Sequence, residues 1–198
     1  MAIAKTQINS ARFLAANQGI DEVNAQDPNT ENGLPAALLY SQRMSCTLLE
    51  FDLEANELLQ LAVRGQHIKR WSIPRDQYPM NRKGYLAWRS MLKQMHANLM
   101  RDILSTHGYT QKECDRVSDI ILKKAYKKDS VVQTLEDVVC LVFLNYYFDE
   151  FLSRHDDDEA KIISILRKTW SKMSLKGQQA ALQLKLSDQA SEMIDKAL

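Results

Sequence analysis

From Gln133 to Phe151 the chain reads QTLEDVVCLVFLNYYFDEF, and Val138, Val139, Leu141, Val142, Phe143, Leu144, Tyr147 and Phe148 fall on nearly every side of a helix. A helix that is apolar all round must be wrapped by other elements, so this segment calls for a bundle. The remaining periodicity supplies one. Apolar residues recur at helical spacing over about Ile3–Val23, Pro35–Phe51, Glu54–Lys69, Tyr85–Thr106 and Thr110–Lys128, and again after the Asp156–Glu159 acidic run. No alternating run indicates a strand, and only 6 Gly and 4 Pro argue against a turn-rich all-β chain. The expectation is an all-α bundle, one helical domain over residues 1–198, with Val138–Phe148 deepest.

Punctuation supports these spans. DPNTENG at Asp27–Gly33 is a loop of turn formers, and Gly19 is a point where the first helix could break. His107-Gly108 stops a helix. Thr110-Gln-Lys-Glu113 is a capping box, and Thr134-Leu-Glu-Asp137 has a similar pattern. Ser174 and Ser187 suit N-caps of two short terminal helices. Three widely spaced cysteines with no CxxC pair fit reduced thiols. MAIAKTQINS has no apolar signal core, and the Val138–Leu144 run is too short to span a bilayer. A cytoplasmic location, without a membrane partner, is expected.

Charge points to chemistry. Between Arg64 and Arg101 nine Lys/Arg face the single acid Asp76, whereas Gln133–Glu159 holds eight Asp/Glu and one base, Arg154. The basic segment opens with LQLAVRGQHIKRW, Leu59–Trp71, where a helix carrying Arg64 leads into Gln66, His67, Lys69, Arg70 and Trp71. If that helix reaches Lys69, Arg64 and His67 share a side. The following IPRDQYPMNRKG is too rich in breakers for regular structure and brings Arg75 over the helix end. Trp71, Tyr78, Tyr85 and Trp88 interleave with Lys69, Arg70, Arg75, Arg82 and Arg89, a combination suited to phosphate and to base stacking. His96 follows on the next helix, and Glu136-Asp137 lies at the start of the apolar one. Two imidazoles and a carboxylate are a donor set for a borderline divalent ion such as zinc, manganese or iron. Each feature also has a plainer reading: a core histidine, a capping acid, an aromatic loop packed inward.

GQHIKRW, IPRDQYPM, GYLAWR, QTLEDVVCLVFL and RKTWSKMS, taken together, resemble an uncharacterised family, a domain of unknown function some of whose members carry a glutamyl-tRNA-synthetase-like name. At greater distance the chain resembles the HD-domain metal-dependent phosphohydrolases. Leu61–Ile68 is similar to their apolar helix ending in His-Asp and an isoleucine. His96, Ile103-Leu104, Gly108, Ile120-Ile121 and the Glu136-Asp137 pair follow in similar order. The departures are specific. Gln66-His67 stands in place of His-Asp, so that either His67 replaces the aspartate or the register shifts by one. The helix Pro35–Phe51 has no histidine, Ser41–Met44 being the comparable stretch, and Lys124 stands where many members carry another histidine.

The basic, aromatic segment and this resemblance together give the expectation of a divergent HD-like helical domain that binds a phosphorylated small molecule or nucleotide, with Arg64, Gln66, Lys69, Arg70, Trp71, Arg75, Trp88, Arg89 and Lys124 as ligand-binding candidates. If such a chain is an enzyme, the expected chemistry is metal-assisted hydrolysis, in which His67, His96 and Asp137 or Glu136 hold an ion that activates water. The alternative is a non-enzymatic helical module for RNA or a protein.

Overall fold

The computed structural model describes residues 10–198, and its helices gather into two compact units, one ending at Tyr126 and the other covering Lys127–Leu198. The described residues are all-α apart from one two-residue ladder.

In the first unit α1 (Ala11–Asn24) starts at the Ser10 cap and runs through Gly19 without a break. The part of the expected first helix before Ser10 lies outside the described residues. Asn32 and Gly33 have φ values of 52° and 78°. Two successive left-handed residues make the tight hairpin favoured by Asn-Gly, and it pairs Thr30–Glu31 (β1) with Leu34–Pro35 (β2). Sequence patterning reads this stretch as a loop, because four strand residues are too few to show alternation. Asp27 receives the amide of Ala37 at 3.0 Å and so helps to open α2 (Ala36–Phe51).

Helix α3 (Glu57–Gly65) is capped by Asn56 and packs against α1, α2, α5 (Gln111–Ile121) and α4 (Arg82–Thr106). Leu61, Val63, Ile68, Met100, Leu104, Val117 and Ile120 are fully buried in this unit. The capping box on α5 forms as read: Thr110 Oγ1 accepts the Glu113 amide at 3.4 Å, and Glu113 accepts the Thr110 amide at 2.8 Å. The helix ends at Ile121, short of the expected Lys128, because Lys123, Ala125 and Lys127 all take positive φ, which no helix accommodates.

The loop before α4 is more ordered than its prolines suggest, with short 3-10 turns at Arg70–Ser72 and Arg75–Gln77. The Arg75 guanidinium donates to the carbonyls of Tyr78 and Pro79, both at 2.9 Å. Trp88 Nε1 donates to the Ile73 carbonyl at 2.9 Å. Gly84 is required, since a Cβ there would collide with the Pro79 backbone.

In the second unit one continuous helix, α6 (Ser130–Ser153), contains a π-helical turn at Phe143–Tyr147. Asp129 caps it, accepting the Val131 amide at 3.0 Å. The expected cap Thr134 is instead one turn inside, its hydroxyl donating to the Ser130 carbonyl. At 24 residues α6 is long and apolar enough to cross a membrane by length and composition alone, and longer than the Val138–Leu144 run indicates. On its apolar side Val138, Val142 and Phe148 are fully buried. Helices α7 (Glu159–Lys172), α8 (Leu175–Ala181) and α9 (Asp188–Ala197) complete the unit, and Ser174 and Ser187 cap the last two as expected.

Candidate functional site

The chain leaves α3 at Gly65, before the histidine. Lys69 adopts a left-handed conformation with φ 54°, held by its amide donating to Asn24 Oδ1 at 3.1 Å. Gln66 and His67 therefore sit on a turn. Arg64, still helical, points away from them into a bidentate pair with Asp21 at 2.8 and 2.6 Å and a bond to Ser45 Oγ at 3.1 Å. The shared helix side expected for Arg64 and His67 does not exist, and Arg64 ties α3 to α1 and α2.

His67 and His96 do come together, their ring centres 5.7 Å apart. His96 is fully buried on α4, and its Nδ1 lies 2.7 Å from the Ile68 carbonyl oxygen. A carbonyl only accepts, so Nδ1 carries the proton and Nε2 presents a bare lone pair. That Nε2 is buried and has no hydrogen-bond partner. Burial pushes the His96 pKa down to about 4, against the opposing effect of the Ile68 carbonyl, and the charge of Arg70 adds to the fall.

Tyr40, on α2, stacks on His67 with ring centres 4.7 Å apart, and its hydroxyl donates to Gln66 Oε1 at 3.1 Å. Gln66 Nε2 is 3.2 Å from His67 Nε2. An amide NH2 can only donate, so this contact leaves the His67 proton on Nδ1. Burial, then the charges of Arg70, His96, Lys123 and Arg89, hold the His67 pKa well below the ordinary histidine value. Both rings are thus neutral at pH 7, one with a free acceptor and the other with its proton on the nitrogen that Gln66 does not engage.

Cations surround this pair. The Arg70 guanidinium lies 4.7 Å from the centre of the Trp88 ring, and burial lowers its pKa. Arg89 lies over Tyr85 at 5.7 Å and meets its hydroxyl at 3.4 Å. Among the described residues neither Arg70 nor Arg89 makes an ion pair. Of the other candidates, Arg75 is spent on loop carbonyls, Lys69 is exposed, Trp71 is partly buried, and exposed Lys124 pairs with Asp119 at 2.7 Å. Tyr40 and Lys123 complete the site and were missed. Tyr40 is 26 residues from Gln66, and only the packing of α2 on α3 brings it in. Lys123 owes its place to a left-handed turn with φ 59° that no glycine advertises.

The donors do not fit a protein-held divalent ion. Among the described residues no group of three or more His, Cys, Asp or Glu side chains is arranged to hold one. Arg70, Arg89 and Lys123 all lower the His67 pKa by their charge, and the same charges would repel a metal cation. Within the second unit Asp137 accepts the Ser174 amide at 2.7 Å, the Ser174 hydroxyl at 2.5 Å and the Gln133 amide at 3.0 Å. Glu136 is buried there, with Lys172 4.0 Å away. The acid pair expected to complete a metal site thus has structural work in its own unit: Asp137 joins α6 to the start of α8.

No curated protein matches the chain, and no solved structure matches it. A family described as a domain of unknown function, DUF4202, matches residues 14–194. That span takes in α3, the basic loop and both imidazoles, and the chain belongs to the DUF4202 family.

Proposed function

We propose that the unit ending at Tyr126 binds a phosphorylated small molecule or nucleotide at the imidazole pair. The observation that carries this reading is a partly buried arginine, Arg70, that has no carboxylate partner and lies beside two neutral imidazoles. Desolvating a guanidinium is costly unless an anion compensates, and Arg is the side chain best shaped for phosphate. The metal-assisted hydrolysis implied by the HD resemblance forms no part of this reading, since the donors do not suit an ion. Thermal unfolding with nucleotides and sugar phosphates at low salt tests it. Binding raises Tm by mass action, and added salt weakens the effect. No shift with any phosphorylated compound at low salt overturns it.

A second reading, RNA binding, is favoured by the exposed start of α4. Tyr85, Leu86 and Met80 are open to solvent beside Arg82, Lys83 and Arg89. Aromatic and basic groups together suit unpaired bases and their backbone. Affinity for a single-stranded oligonucleotide that falls steeply with salt, and exceeds that for mononucleotides, favours this second reading.

A further inference from the structure

The groups gathered around the imidazole pair are asymmetric in their hydrogen-bonding chemistry. Arg70 and Arg89 offer only donors. His96 Nε2, fully buried and unpartnered, offers only a lone pair. An oxyanion that carried no proton would satisfy the guanidiniums but bring its own lone pairs against that nitrogen. A metal ion would satisfy the nitrogen but meet the repulsion of the surrounding cations. An anion that also donates satisfies both.

Resting on the anion-site reading above, we infer that the group bound here is a hydrogen phosphate, whose P–O–H donates to His96 Nε2 while its ionised oxygens meet Arg70 and Arg89. Phosphate keeps a proton near neutrality, and its monoesters exchange theirs near pH 6. Sulfate has the same shape and no proton to give. The site therefore discriminates between two anions of nearly equal size by a single hydrogen bond. The low proton affinity of His96 is consistent with this: the ring stays an acceptor at pH 7 and does not become a second donor. Loss of one buried hydrogen bond, with a lone pair left facing a lone pair, predicts about a tenfold preference for phosphate.

Calorimetric titration of the full chain at pH 7 and low ionic strength, with inorganic phosphate, sulfate and adenosine monophosphate in turn, tests this. The expected result is phosphate binding with sulfate at least about tenfold weaker. His96→Leu, checked for helical content by circular dichroism, is expected to bring the two affinities together, and Arg70→Gln to weaken both alike. If His96→Leu does not fold, the wild-type ratio decides alone. Equal affinities, or tighter sulfate, overturn the hydrogen-phosphate inference and leave the anion site standing. Adenosine monophosphate bound without either inorganic anion overturns the inference as well. None of the three binding overturns the anion site itself.

Discussion

Arg70 lies over the face of Trp88, its guanidinium carbon 4.7 Å from the ring centre, while the indole nitrogen donates to Ile73 at 2.9 Å. One tryptophan thus pins the basic loop to α4 and holds the cation above itself. Cation–π contact orients Arg70 without neutralising it, so the charge stays available to an anion.

Arg70→Lys tests that arrangement. A lysine keeps the charge but loses the planar fork and most of the stacking. Phosphate-bearing ligands are expected to bind about tenfold more weakly, with stability changed by less than about 1 kcal/mol. Calorimetry and urea unfolding on the same preparation measure both. Unchanged affinity in a folded Arg70→Lys protein would remove Arg70 from the site.

Acid should weaken the fold through the imidazoles. His96 titrates near 6.5 when unfolded and about 4 when folded. Between those values the unfolded chain takes up a proton that the folded one refuses, so stability falls as pH drops through this window and the effect is complete near pH 4. The gap corresponds to about 3 kcal/mol, and His67 adds in the same direction. Glu113, held down to about 2 by its bonds to Thr110 and Arg12, contributes mainly lower, below about 4.5. Urea unfolding at pH 7.5, 6 and 5 should show the decline, and His96→Leu should flatten it. A level wild-type profile across that range contradicts neutral buried rings.

The pattern of elements was readable from sequence because it rests on local physics. The capping box at Thr110, the caps at Ser174 and Ser187 and the stop at His107-Gly108 each depend on a few neighbouring residues. The site was half readable. His67, Arg70, Trp88 and His96 stand out in the sequence, since aromatic and basic residues crowd one segment. What sequence could not decide was direction. Arg64 is drawn off by Asp21, 43 residues earlier, and Asp137 is drawn off by Ser174, 37 residues later. Lys123 arrives by a left-handed turn at a residue type that seldom adopts one. Long-range pairing and backbone exceptions leave no periodic trace.

Asp137→Ala separates a structural acid from a ligand-binding one. It strips acceptors from the Ser174 amide and hydroxyl and from Gln133, leaving half-buried donors on Ser174 without their acceptor at a cost of about 1–3 kcal/mol. Phosphate affinity of the folded variant is expected to match the wild type. A stable protein that no longer binds phosphate would return Asp137 to the binding machinery.

Gly65 gives the sharpest test of how the fold builds the site. It is the last residue of α3 and is buried against α4, where a Cβ would fall inside the Met100 side chain. Met100 is itself fully buried and lies one helical turn beyond His96. The absence of a side chain at Gly65 therefore leaves room for the Met100 side chain, one turn from the His96 ring whose centre lies 5.7 Å from that of His67. Gly65→Ala must push Met100 or the helix aside, costing about 1–3 kcal/mol by overpacking. That outweighs the roughly 0.5–1 kcal/mol by which alanine improves on glycine within a helix. Because the displacement arises one turn from His96, phosphate affinity should fall along with stability. Adding Met100→Ala to Gly65→Ala opens the space again, so the double variant should recover binding beyond what the two single changes predict by addition. Urea unfolding and phosphate titration of all four proteins complete the cycle. Strict additivity in both measurements would mean that Gly65 and Met100 do not act together on the histidines.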